Sequence, residues 1–311
     1  MPNVVWIQTG ACSGDSMALL CADRPSLENL LQQYGINLLW HPSLTSERRF
    51  GSILEALLSG RTPLDILCIE GSLMTGPGGT GLYDTWKGRA KIDIVRQLAP
   101  LAHHVVAMGT CAAFGGVHAA TPNPTDCVGL QYLFAEPGGL LGKEWRSGSG
   151  RPVINVAGCP AHPNTMTRML AMLAEGDAIE LDPLNRPAVF FSSLVHQGCT
   201  RNEYHEYDIE DAVLGGRGCM FFNLGCRGPQ TLAPCNSELW NGRSSKTRAG
   251  VPCFGCTEPD FPPDRDLFAT PRIGAVPKFL PLDVVRAKYM AYKNLARAAA
   301  PKRVIDRDME P

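Results

Sequence analysis

The sequence is short of charge. Of its 311 residues 19% are charged and 7% aromatic, and the formal net charge is −1 with a pI near 6.6. So neutral a chain offers no electrostatic hold on nucleic acid or an anionic membrane, and no nucleic-acid partner is expected. It has no run of about 20 apolar residues, so no segment is predicted to cross a bilayer. Its start, Met-Pro-Asn-Val-Val-Trp, has no twin arginine, basic n-region or apolar h-region. The expected location is therefore cytoplasmic, with any membrane association supplied by a partner. Scarce charge is also compatible with a large buried interface. Hydrophobic residues make up 44%, enough at this length for two domains with cores of their own.

Cysteine, by contrast, is abundant. There are 12, which without a secretory leader argue for metal in a reducing compartment. One stretch organises the rest. His196-Gln-Gly-Cys199, Cys219-Met-Phe-Phe-Asn-Leu-Gly-Cys226-Arg-Gly-Pro, Cys235 and Cys253-Phe-Gly-Cys256-Thr-Glu-Pro place six cysteines and a histidine within 61 residues. Thiolates select zinc or iron–sulfur, and a histidine can replace one thiolate. Seven ligands exceed one tetrahedral metal and suit a four-ligand site plus a three-ligand site. Disulfides or two zinc knuckles are the alternatives.

Earlier in the chain, apolar runs alternate with helical patterns. Strands are expected at 3–8, 36–40, 64–69, 103–108 and 152–156. Helices are expected from Asp15 or Ser16 to about Gln33, from Ser46 to Leu58, near Lys91–Leu98 and over Pro163–Glu175. This alternation implies an α/β fold, a mostly parallel sheet with helices on both faces. Cys12, Cys111 and Cys159 each fall just past a strand's C-terminal end, beside glycine. In open α/β sheets that edge is where ligands bind. A single cysteine there would be read as a small buried hydrophobe; three at equivalent positions are read as a metal site. Glu70 ends the third strand and is either a buried, proton-handling carboxylate or a capping or paired one.

Gly76-Pro-Gly78-Gly-Thr-Gly81 fits a dinucleotide fingerprint but lies several residues past its strand, contains Pro77 and opens no apolar helix. The loop is instead expected near the cysteine edge or against a partner. From about residue 187 to 285 the chain is rich in Gly, Pro and Cys and is expected to fold around its inorganic groups. Leu282–Ala300 reads as a helix docking on a partner or on its own domain. Domains are placed at 1–185, 186–285 and 286–311. Cys21, Cys68 and Cys127 fit no pattern, and Cys68 is read as core.

The assembled residues resemble the small subunit of [NiFe] hydrogenases over about 3–280. The resemblance rests on Gly-Ala-Cys12-Ser-Gly-Asp15, Glu70-Gly71, Gly109-Thr110-Cys111-Ala, Gly158-Cys159-Pro160, His196-x-x-Cys199, Gly225-Cys226-Arg-Gly-Pro229 and Cys253-x-Gly-Cys256-Thr-Glu-Pro259. It implies a flavodoxin-like, doubly wound sheet followed by an irregular iron–sulfur domain. It assigns Cys12, Cys111 and Cys159 to a proximal cluster. His196, Cys199, Cys219 and Cys226 would hold a distal [4Fe–4S] cluster, and Cys235, Cys253 and Cys256 a medial [3Fe–4S] cluster. The nickel–iron centre would lie in a separate large subunit, so no catalytic residue is expected here beyond Glu70 as a proton carrier. The chain would form a heterodimer with that subunit, within a higher oligomer. It would relay electrons from hydrogen to a quinone, cytochrome or redox protein, or alternatively serve a hydrogen sensor signalling to a kinase.

The sequence departs from the family where Asp15 replaces the usual second proximal cysteine. Asp15 would ligate iron in a [4Fe–4S] cluster or stand beside a [3Fe–4S] one. Gly14 and Gly116 occupy the places of the extra cysteines of oxygen-tolerant members. These features are similar to those of the cytoplasmic uptake and hydrogen-sensing branch.

Overall fold

A computed structural model describes residues 1–274 and 276–306 of the chain, apart from the side chain of Asn294. Its contacts fall into two units: Met1–Phe190 with Cys256–Pro262, and Phe191–Gly255 with the chain from Pro263 onward.

The first unit is built on five parallel strands, β1 (Asn3–Gln8), β2 (Asn37–Trp40), β3 (Leu64–Glu70), β4 (Ala102–Met108) and β5 (Ile154–Val156). Their order is β2-β1-β3-β4-β5, the flavodoxin-like order, which reverses between β1 and β3. Near-continuous apolar runs are what strands covered on both faces require. Val4, Val5, Trp6, Leu67, Cys68, Ile69, Val105 and Val106 are all buried. The helices form two groups. α1 (Gly14–Leu20) and α2 (Leu27–Gln32) pack on α6 (Pro163–Glu175), and α3 (Phe50–Leu58) packs on α4 (Lys91–Leu98). α5 (Gly109–Phe114) follows β4 directly. Proline in the first turn of α6 and Gly176 at φ 76 just past its end use each residue where its backbone geometry suits.

One expectation in this unit needs correction. The helix from residue 15 or 16 to 33 is two helices. Residues 21–26 form a turn whose backbone donors Asp23 N and Arg24 N bond Asn164 Oδ1 at 3.0 and 3.2 Å, and Pro25 supplies no donor to continue a helix. The Gly76–Gly81 loop lies between β3 and α4. It closes on its own unit, with Gly81 so close to Ile92 of α4 that a side chain there would strike it. Lys91 anchors the same region through Asp84 at 2.7 Å.

The second unit has little regular structure. A small cluster of Val195, Met220, Leu224, Cys226, Ala233 and Cys253 forms a core, with Cys235 packed on it. The C-terminal helix α7 (Arg286–Ala298) begins four residues later than expected and docks on its own unit. Lys293 Nζ lies 3.4 Å from the Phe222 ring centroid and 3.6 Å from Asp208 Oδ1, and Arg272 covers the same ring at 4.1 Å. Cation–ring contacts of this kind hold a helix with few apolar residues to spare.

Gly71 joins the end of β3 to the edge that carries Cys12. It has φ 95, and a Cβ there would sit 2.6 Å from the Gly10 carbonyl carbon. Gly71→Ala is expected to destabilise the protein by about 2–4 kcal/mol. Thermal unfolding of the purified complex measures this, and an unchanged midpoint would contradict it.

Candidate iron–sulfur sites

At the C-terminal edge of the sheet, Cys12 follows β1, Cys111 lies in the first turn after β4, and Cys159 follows β5. None is in a disulfide. They are mutual neighbours. The Cys159 thiol feels Cys256, Cys111, Asp15 and Cys12, and Cys111 feels Asp15 and Cys12. Burial drives both thiols up, Cys111 to about 11 and Cys159 to about 12. Such thiols are inert without a cation, and a bound metal reverses that by deprotonating them.

Asp15 faces the same place. Its Oδ1 accepts the Ala161 N–H at 2.7 Å, two residues past Cys159. Burial raises its carboxyl to about 7, with the Ala161 bond opposing and the nearby Glu70 charge adding to the rise. Gly109, at φ 83, lies directly against the Asp15 carboxylate, so glycine is what leaves room for it. Gly116 and, more loosely, Gly14 border sulfur. A Cβ would come within 2.8 Å of Cys111 Sγ at the first and 3.1 Å of Cys12 Sγ at the second.

Glu70 lies behind this edge, buried. One oxygen accepts the Asp15 and Ser16 backbone N–H groups at 3.1 and 3.2 Å. The other accepts from Trp6 Nε1 at 2.9 Å, Gln8 Nε2 at 3.0 Å and Ser16 Oγ at 2.5 Å. Ser16 Oγ continues to His41 Nε2 at 3.3 Å. The carboxylate therefore fixes the turn that presents Cys12 and Asp15. Thr110, buried beside Cys111, accepts from Gly158 N at 2.9 Å and donates to the Cys256 carbonyl.

In the second unit, His196, Cys199, Cys219 and Cys226 line one pocket with Val195, Arg201, Met220, Phe221 and Pro229. Three sulfurs accept backbone N–H groups at 3.4 Å: Cys199 from Arg201, Cys219 from Phe221 and Cys226 from Cys253. Burial raises the Cys226 thiol to about 11 and pushes Cys219 well up. His196 Nε2 lies 3.8 Å from Glu206 Oε1. Arg201 braces the loop before Cys219, donating to the Gly218 carbonyl at 2.7 Å and the Thr247 carbonyl at 2.8 Å.

Cys235 and Cys253 sit together in the second unit's core, while Cys256 falls in the first unit. The turn between Cys253 and Cys256 is shaped by Arg227, whose guanidinium carbon would be 2.9 Å from a Cβ on Gly255. Cys68 is buried inside β3 and Cys127 in a short ribbon with Met74, while Cys21 is exposed at the end of α1.

Comparison with known proteins agrees across both units. The profile of the NADH ubiquinone oxidoreductase 20 Kd subunit matches residues 12–173. The C-terminal profile of the NiFe/NiFeSe hydrogenase small subunit matches residues 191–269. The periplasmic [NiFe] hydrogenase small subunit 1 of Nitratidesulfovibrio vulgaris is 33% identical over 271 residues, covering 84% of this chain and 79% of that protein. The chain belongs to the [NiFe] hydrogenase small-subunit family. The F420 non-reducing hydrogenase II small subunit of Methanosarcina mazei is 32% identical, with 84% and 73% covered. Among solved small-subunit structures, the actinobacterial-type NiFe-hydrogenase of Ralstonia eutropha H16 superposes with TM-score 0.80 at 30% identity, over 100% of this chain and 92% of that one. Small subunits of this family carry iron–sulfur clusters, and the sulfur sets described above fit such groups in number and donor type. Among the described residues no helix is long and apolar enough to cross a membrane.

Sequence reasoning gave no role to Arg201 or His205, and quoted Thr110 only as part of the Gly109-Thr110-Cys111 motif. Their contacts across the fold reveal what they do. Because the second unit's core is small and cysteine-rich, iron removal should unfold it first. Limited proteolysis after chelation is expected to cut within 191–255 well before the sheet. Equal resistance of both regions would contradict this.

Proposed function

We infer that this chain is the electron-transfer subunit of a [NiFe] hydrogenase and works in complex with a large subunit that splits hydrogen. The observation that carries the reading is the gathering of Cys12, Cys111, Cys159 and Asp15 at one sheet edge, with exposed apolar side chains close to them in sequence. Met17 and Leu20 of α1 are 68% and 53% exposed, and Val117, six residues past Cys111, is 50% exposed. An obligate interface usually buries more than about 2,000 Å², and this edge suits the side of it that faces the hydrogen-splitting site. Iron–sulfur clusters, when bound, take and release single electrons. This chain's part is to hold them by thiolate, imidazole and carboxylate, to exclude water around them and to set their potentials through burial and hydrogen bonds.

The residue assignments belong to the same proposal. Cys12, Cys111, Cys159 and Asp15 form the proximal site. His196, Cys199, Cys219 and Cys226 form the distal [4Fe–4S] site, and Cys235, Cys253 and Cys256 the medial [3Fe–4S] ligand set. Glu70 orients the proximal turn through its bonds to Asp15 N and Ser16 N.

The function is tested by co-expression with the large subunit. The pair should reduce viologen with hydrogen, and each chain alone should not. Met17→Asp with Leu20→Asp should abolish co-purification, and an intact complex in that variant would refute the interface.

Asp15→Cys tests the proximal site. Cysteine at that position is expected to move the proximal midpoint potential, because thiolate is a softer and stronger iron ligand than carboxylate. An EPR spectrum and potential identical to wild type would exclude Asp15 as a ligand.

A further inference from the structure

His205 belongs to no motif and takes no part in the ligand sets above. It lies in the one-turn helix Asn202–Glu206, six residues past Cys199. Its Nδ1 is 3.5 Å from Cys219 Sγ. The ring is wedged edge-on between two others, with centroids 4.5 Å from His196 and 5.3 Å from Phe221. Glu210 completes the group. The ligating atoms of His205, Glu210 and Cys219 all lie within 4.8 Å of one another.

We propose that His205 is a positioning residue of the distal site, donating its Nδ1–H to the Cys219 sulfur and so raising the potential of the cluster that this sulfur holds. The proposal rests on the reading that Cys219 is a distal ligand. A thiolate bound to iron has no proton, so its sulfur can only accept. The 3.5 Å contact then places the imidazole proton on Nδ1. With the Phe221 N–H at 3.4 Å, Cys219 receives two hydrogen bonds. Each stabilises the extra negative charge of the reduced cluster more than that of the oxidised one, so reduction becomes more favourable. His205 acts through Cys219 and, by its edge-on contact, holds the His196 ring in place. It also lines a cavity of about 370 Å³ with Tyr289, Tyr292 and Lys293. The same imidazole thus borders both Cys219 and a water-accessible space.

The test uses the complete complex with its large subunit and two variants, His205→Phe and His205→Gln. Phenylalanine keeps a ring and removes the donor, and glutamine keeps an N–H donor. EPR-monitored titration should show a lower distal midpoint potential in His205→Phe, an unchanged proximal one, and recovery towards wild type in His205→Gln. Pulsed EPR in deuterated buffer should show an exchangeable hydrogen coupled to the distal cluster in wild type and not in His205→Phe. Hydrogen-driven reduction of an external acceptor should fall by roughly 10–100-fold, the range for substitutions that support a metal ligand. An unchanged distal potential and hydrogen coupling in His205→Phe would overturn the proposal. So would loss of the cluster's histidine nitrogen coupling in that variant, since His205 would then be the iron ligand. Cys219→Ser separates the two levels. If it leaves the distal signal unaltered, the cluster reading falls and the proposal with it. If it alters the signal while His205→Phe does not, the proposal alone falls.

Discussion

A buried thiol is a poor acid, and a buried carboxylate is nearly as reluctant to ionise. That constraint governs this molecule. Cys68 shows it in isolation, since burial alone pushes its thiol up inside β3. Cys111, Cys159, Cys219 and Cys226 are also raised by burial, but each has further thiols or carboxylates among its neighbours. Several acids gathered in a water-poor place repel one another once ionised. Such groups are tolerable when a cation neutralises them, and iron–sulfur clusters of the kind that small subunits of this family carry would supply that charge. The difference between Cys68 and the others is therefore company, and company marks a site.

The fold supplies that company from two sources. In the first unit a parallel sheet brings residues far apart in sequence to one edge, and Glu70 ties the backbone of that edge down from behind through five donors. Glycine then sets the spacing, because a Cβ on Gly109 or Gly116 would strike the Asp15 carboxylate or Cys111 Sγ. In the second unit no sheet does this work. Arg201, backbone N–H groups on the sulfurs and a few apolar side chains hold Cys199, Cys219 and Cys226, so on the proposed reading that unit depends the more on a bound metal.

The strands were legible because a sheet covered on both faces leaves unbroken apolar runs, and β1, β3 and β4 have them. Their ends placed Cys12, Cys111 and Cys159 correctly at one edge. The break between α1 and α2 was signalled only by Pro25. Leu20 and Leu27 keep a helical rhythm, and the turn depends on Asn164, far away in sequence. His205 left no trace because a single histidine carries no period and no spacing. Asp15 did, because it occupies a position where the family pattern expects sulfur.

The most direct measurement of the central claim is Mössbauer spectroscopy of the iron-57-enriched complex, as isolated and after exposure to hydrogen. The account predicts iron in sulfur-rich tetrahedral sites, resolved into three cluster populations that hydrogen reduces, with one iron subsite shifted by oxygen ligation from Asp15. Zinc in place of iron, or cluster iron that hydrogen leaves unchanged, would contradict it.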